Sequence, residues 1–309
     1  MEIFTQQLLN GIVLGSVYAM VAVGYTMVYG ILQLINFAHG EVLMVGAMLG
    51  LSFVTFVTVL YPSLPAAFIL VGAISVAAVA CPILSATIER IAYKPLRKAP
   101  RLAPLITAIG VSIILQTLAM IIWGANPKVF PDLLPTNTFL IGGAIIAPKQ
   151  LLILFVAFFS MVLLIFLVNK TTLGRAMRAV SESPSNASLL GISVDSIIRI
   201  TFMLGAILAG VAGVLVALNY NFVHFTMGFL LGLKAFTAAV LGGIGNIAGA
   251  VLGGLLLGVI ESLGAGYIGD FTNGFLGSHY QDIFSFVILI IVLLFKPTGI
   301  LGEKIADRA

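Results

Sequence analysis

Between Gln33 and Glu41 the chain reads Gln-Leu-Ile-Asn-Phe-Ala-His-Gly-Glu, a run of polar groups set between two long apolar stretches. A histidine and a carboxylate beside a glycine are costly in hydrocarbon, so they must face an interface, a protein interior or a cavity. Two readings fit. The run is either the cytoplasmic turn between two spans, with Glu41 near a helix N-terminus where its charge is favourable, or a broken helix lining a permeation path. In the second reading Asn36, His39 and Glu41 line the path, together with Gly243, Gly245 and Asn246 of a later glycine break. Glu261 reads equally as an interfacial cap or a pathway residue, and Lys234 is explained by snorkelling to the headgroups.

The templates of enzyme chemistry are missing. The sequence holds no G-x-x-x-x-G-K-[ST] phosphate loop and no H-E-x-x-H, and His39-Gly40-Glu41 has the wrong spacing to set two metal ligands on one helix face. There is no G-x-S-x-G elbow. His224 and His279 fall in connections expected outside the membrane and read as exposed or capping residues. No catalytic, cofactor-binding or metal-binding residue is therefore assigned, and an intramembrane enzyme is disfavoured.

Stepping from these residues to what must hold them, the chain is 61% hydrophobic and only 8% charged over 309 residues, with 33 glycines. A soluble domain has about a quarter of its residues charged; this chain cannot cover a surface facing water. The expectation is an all-α polytopic membrane protein, a single transmembrane domain over residues 1–309. The spans are read as Leu8–Ile31, Val42–Tyr61, Ala66–Ala92, Leu102–Trp123, Gln150–Val168, Ile197–Leu218 and Gln281–Phe295, each near the 20 or so apolar residues a crossing needs. A compound segment, Gly232–Gly266, breaks at Leu241–Asn246 because paired glycines carry a high helix penalty. It reads as two short helices meeting at a glycine turn inside the protein, with two unusually short crossings as the alternative. The start, MEIFTQQ, lacks the basic region of a cleaved signal, so the first span reads as retained. Cys81, the one cysteine, reads as a buried small hydrophobe. The Asn126–Gln150 connection reads as an ordered external loop with a short hairpin.

Basic residues cluster in three places: Arg90, Lys94, Arg97, Lys98 and Arg101; Lys170, Arg175, Arg178 and Arg199; and Lys296, Lys304 and Arg308. Only Lys128, Lys149 and Lys234 lie elsewhere. Alternating spans put the clusters on one side, which is cytoplasmic by the positive-inside rule. This charge sets topology and does not indicate nucleic-acid binding. Small residues recur four apart in Gly11/Gly15, Gly46/Gly50, Gly205/Ala209/Gly213, Gly249/Gly253 and Gly254/Gly258, a spacing that lets helices approach closely in lipid.

The polar insertion 171–199 carries a short, well-bounded helix. Ser183 suits its N-cap, Pro184 its first position and Gly191 the left-handed residue after its end. Two turns that show only Leu189, Leu190 and Ile192 as apolar groups are too small to be stable alone. The helix must dock on its own loop and the membrane surface, or on another protein.

Together these stretches resemble a known family. NGIVLGSVYAMVAVGYTMVYGILQLINFAHGEVLMVGAMLG, TTLGRAMRAVSESPSNASLLGISVDSIIRITFMLGAILAGVAGVL, MGFLLGLKAFTAAVLGGIGNIAGAVLGGLLLGVIE and LLFKPTGILGEK are similar to LivH-type permeases of branched-chain amino-acid ABC transporters. The resemblance covers nearly the whole chain in the same order. It implies a bacterial inner-membrane importer subunit for Leu, Ile or Val. Its partners would be a second related permease, two cytoplasmic ABC ATPases, a periplasmic amino-acid-binding protein and membrane lipid. It maps the ATPase-docking loop onto Arg175, Arg178, Ser183, Pro184, Ala187, Leu189, Leu190 and Gly191. It assigns no substrate ligand. Permeases for urea, short amides or other amino acids are rival readings within the family, and an ion-coupled secondary transporter is a more distant one.

Overall fold

The computed structural model describes residues 2–97, 99–100, 102–135, 137–272 and 280–302. Lys98, Arg101, His279, Lys304 and Arg308 lie outside the described residues. The helices run α1 (Glu2–Leu32), α2 (His39–Leu60), α3 (Ala66–Ile88), α4 (Leu102–Trp123), α5 (Pro148–Lys170), α6 (Thr172–Glu182), α7 (Pro184–Leu189), α8 (Val194–Tyr220), α9 (Met227–Gly242), α10 (Ile247–Phe271) and α11 (Gln281–Phe295). A π turn, Glu89–Tyr93, and a tighter turn, Lys94–Leu96, continue α3. Four short strands pair as two antiparallel ribbons, β1 (Lys128–Val129) with β4 (Phe222–Val223) and β2 (Phe139–Ile141) with β3 (Ala144–Ile146).

The helix α1 is the hub. It is buried almost continuously from Gly11 to Val28 and packs against α10, α8 and α9. Glycine makes this possible: a methyl at Gly15 would stand 2.8 Å from the Gly254 carbonyl oxygen and from Leu255 Cα. In the same way a methyl at Gly46 would stand 2.6 Å from Gly210 Cα, which sets α2 on α8. Lipid is as apolar as Leu, so helices gain from contact mainly through close van der Waals approach, and Cβ-free surfaces permit it. The outer helices α4 and α5 instead leave large apolar groups exposed, among them Ile113, Ile121, Phe155 and Phe158, as a lipid-facing surface requires.

The described residues between α4 and α5 include the β2–β3 hairpin. Gly142 and Gly143, both at positive φ, turn β2 into β3 in the two-residue geometry whose twist matches paired strands. Gln6 at the start of α1 clamps this hairpin, donating to the Ile145 carbonyl at 3.1 Å and accepting from its N–H at 2.8 Å.

Among the described residues seven helices are long and apolar enough to cross, and one of them differs from the expectation. The helix α11 has 15 residues, about 22 Å at 1.5 Å per residue, less than the hydrocarbon thickness. The compound segment is one short helix, α9 with 16 residues, and one of full length, α10 with 25, rather than two short ones. The reason is local. Its glycines within α10 lie against α1 (Gly254 and Gly258) or α9 (Gly249 and Gly253), where close contact compensates their low helix propensity, while Gly243 and Gly245 lie at positive φ and do break the helix.

Candidate functional site

The docking helix forms as its sequence demands. The Ser183 hydroxyl accepts from the Asn186 N–H at 3.3 Å, Pro184 begins the helix, and Gly191 adopts φ +79°. The Gly191 N–H donates to the Ser188 carbonyl at 3.0 Å and that of Ile192 to Ala187 at 3.0 Å, the paired bonds of a glycine-terminated helix end. Of the apolar groups, Ala187 is buried against the body while Leu189 and Leu190 are 85% and 78% exposed. Two adjacent leucines so displayed on a loop rich in basic residues form an unpartnered apolar tip. The platform beneath is α6, whose Gly174, Met177 and Val180 are buried. Arg175 points outward, whereas Arg178 donates to the Val168 carbonyl at 2.6 Å, helping satisfy the last turn of α5. Its visible work is thus to hold the loop.

The run 33–41 is the connection from α1 to α2 together with the first turn of α2, exposed at Gln33 and buried from Ala38 onward. Asn36, His39 and Glu41 are 4%, 2% and 0% exposed. The His39 ring stands edge-on to Tyr25, centroids 4.8 Å apart, and lies against Gly24 and Gly205. Gly24 is about 12 Å along α1 from its end, so α2 begins well inside the bundle rather than level with the end of α1. Asn36 Oδ1 accepts from the Tyr93 hydroxyl at 2.6 Å and from the Ala38 N–H at 3.1 Å, which closes the first turn of α2. Glu41 Oε1 accepts from Ser112 Oγ at 3.0 Å and Gln116 Nε2 at 2.7 Å, both on α4. Its Oε2 and His39 Nε2 are buried without a hydrogen-bond partner among the described residues. As the turn reading has it, 33–38 joins two spans and Glu41 lies in the first turn of α2; what that reading does not supply is the burial of this turn, where Gly40 lies on Gly228 and Gly232 of α9.

Gly243, Gly245 and Asn246 form a separate place. Gly245 lies near Gly30 toward the end of α1, and the segment after α11 closes over the turn. The Ile300 and Leu301 N–H groups donate to the Leu241 and Gly242 carbonyls at 2.9 and 2.8 Å. Asn246 caps α10 through the Gly249 N–H at 3.1 Å and donates to the Leu301 carbonyl at 3.0 Å. The freed backbone is thus satisfied by protein, as a break beside lipid requires.

Two ionic groups escaped sequence reasoning. Lys234 does not snorkel: it is 4% exposed, pairs with Glu261 and stands 2.5 Å from Asp282, while Ser285 Oγ donates to Glu261 at 3.2 Å. This triad joins α9, α10 and α11. At the opposite end Glu89, fully buried, pairs with Arg97, which donates to Asp195 at 2.6 Å; Lys94 reaches Asp195 at 2.6 Å and Arg199 stands 3.7 Å from Glu89. The available signal was a charge inside an apolar run, which has to find a partner.

The described residues thus present a polar break buried in a helical bundle and an exposed apolar tip on a basic loop, and among them no cluster of His, Cys, Asp or Glu could hold a metal ion. A family model described as branched-chain amino acid transport system, permease component, matches residues 7–293. The chain belongs to this family. It is 46% identical over 99% of its length to the high-affinity branched-chain amino acid transport system permease protein BraD of Pseudomonas aeruginosa, and covers 98% of that protein. To LivH of Escherichia coli K12 it is 44% identical over 99% of its length and 97% of LivH. An archaeal relative, a probable LivH of Methanocaldococcus jannaschii, is 32% identical over 95% of this chain and 91% of that protein. As a family member, the chain is a multi-pass permease subunit of the membrane.

Proposed function

We propose that this chain is the inner-membrane permease of a bacterial ABC importer and forms part of the path for the branched-chain amino acids Leu, Ile and Val. Its 309 residues act as one transmembrane domain. It pairs with a second related permease, receives substrate from a periplasmic binding protein and is driven by two cytoplasmic ABC ATPases; it hydrolyses nothing itself. The observation that carries this reading is the exposed Leu189–Leu190 tip on a fully capped helix within the basic loop. A cleft on the ATPase receives the tip, and ATP-driven closure pushes α7 so that the spans rock between outward- and inward-open states. Neutral donors and acceptors such as Asn36 and His39 suit a zwitterion with an apolar side chain, which needs a mostly uncharged route.

The test is purification of the tagged chain from its host. Recovery of a second permease and ATPases is expected, and Leu189→Glu should release the ATPases and abolish ATP-driven uptake while the permease pair stays together. Retention of the ATPases by that variant would contradict docking through α7. Uptake of urea or a short amide in place of Leu would replace the substrate and leave the docking reading intact.

A further inference from the structure

A push at α7 needs a route to the break before α2, and a continuous one runs across the cytoplasmic ends of α8 and α3. Ile192 ties the end of α7 to the chain entering α8 through its bond to Ala187. Asp195, in the first turn of α8, is held by both Lys94 and Arg97. Arg97 is 17% exposed and forks, one nitrogen on Asp195 and the other on the buried Glu89. Arg199, one turn further along α8, lies beside the second Glu89 oxygen. Glu89, with no exposed surface, keeps Arg97 in place because leaving would strand a buried charge, and through its other nitrogen the held Arg97 ties this segment to Asp195 of α8.

Glu89 opens the π turn, a local insertion of the kind that often marks functional positions in helices. Tyr93 ends it. That residue is 1% exposed, packs on Phe202 of α8 with centroids 5.5 Å apart, and donates its hydroxyl to Asn36. The Asn36 oxygen that receives it also holds the Ala38 N–H. The first part of the route is ionic, and its last link is one neutral hydrogen bond.

We propose that Arg97 and Tyr93 are positioning residues of transport: Arg97 joins the docking end of α8 to the π turn, and Tyr93 passes the movement of that turn to the Asn36 break at the start of α2. The relay rests on the docking reading of α7. A merely structural staple between α3 and α8 would have the same contacts, so coupling itself has to be measured.

The experiment uses the whole transporter with its binding protein in proteoliposomes, and reads leucine taken up per ATP hydrolysed. Tyr93→Phe keeps the ring and removes the link; it should retain the ATPases and lower the ratio at least threefold. Asn36→Ala, which loses this bond and the one from Ala38, should lower it at least as much, and the double variant should fall no further than Asn36→Ala alone, because the Tyr93 bond is already lost there. Arg97→Lys keeps the charge without the fork and should also lower the ratio. An unchanged ratio in assembled Tyr93→Phe, or losses that add in the double variant, overturns the relay. If Tyr93→Phe does not assemble, Arg97→Lys decides, and a parental ratio there overturns it. Failure of the docking reading is seen separately, as ATPases that stay bound to Leu189→Glu.

Discussion

The two helix breaks look alike in sequence, each a polar or glycine interruption followed by a helix rich in small residues, but they are built differently. The break at 33–38 is closed by side chains: Asn36 takes a hydroxyl from α3's π turn, while Glu41 is held by α4. The break at 243–246 is tied across elements by main chain, two amides of the segment after α11 supplying the carbonyls of α9, with Asn246 adding its side chain to Gly249 and Leu301. Side-chain links from distant helices can exchange as those helices move. Main-chain links between segments packed glycine to glycine cannot do so without opening the fold. On the relay proposed above, the first break is the place for motion and the second an anchor.

Substitutions in the two breaks should separate accordingly. The largest effect on stability is expected at Gly243→Ala. Its methyl would collide with backbone at Leu301 and Gly302, and φ +111° is strained for any side chain. Overpacking and left-handed strain together should cost about 3 kcal/mol or more, read as loss of folded protein in detergent. Normal yield and melting would show that the anchor is loose. Next comes Asn36→Ala, which leaves the Tyr93 hydroxyl and the Ala38 N–H without their acceptor. A loss of roughly 1–3 kcal/mol is expected, together with a fall in leucine uptake out of proportion to the stability change; parental uptake would erase the distinction between the breaks. The smallest effect belongs to Gly245→Ala. Nothing lies within contact of its added methyl, so only the strain at φ +100° remains, about 1 kcal/mol with uptake near parental. A large transport defect here would move function into the second break.

What the sequence made legible was local. The caps of α7 come from Ser183, Pro184 and Gly191 within a few residues of one another, and the glycine turn before α10 likewise needs only Gly243 and Gly245. The hairpin turn at Gly142–Gly143 is of the same kind. What stayed hidden depends on residues far apart. Arg97 and Asp195 are 98 positions apart, Lys234 and Glu261 27, and no spacing rule pairs them. The burial of His39 follows from Gly24 and Gly205 meeting, which is tertiary information. Among the described residues the span count held with one exchange, α10 for α11, because the glycines of α10 look like breaks in sequence while their packing keeps it one helix.

The central claim is that α7 meets an ATPase, and site-directed crosslinking tests it most directly. Cys81 is buried, and Cys81→Ala provides a background free of other cysteines. In that background Leu189→Cys should crosslink to the ATPase subunit in native membranes, with the yield changing when ATP is bound. Leu140→Cys, exposed on the external β2–β3 hairpin, should give no such product. An ATPase crosslink from position 140, or none from 189 in an assembled and active transporter, would contradict the account.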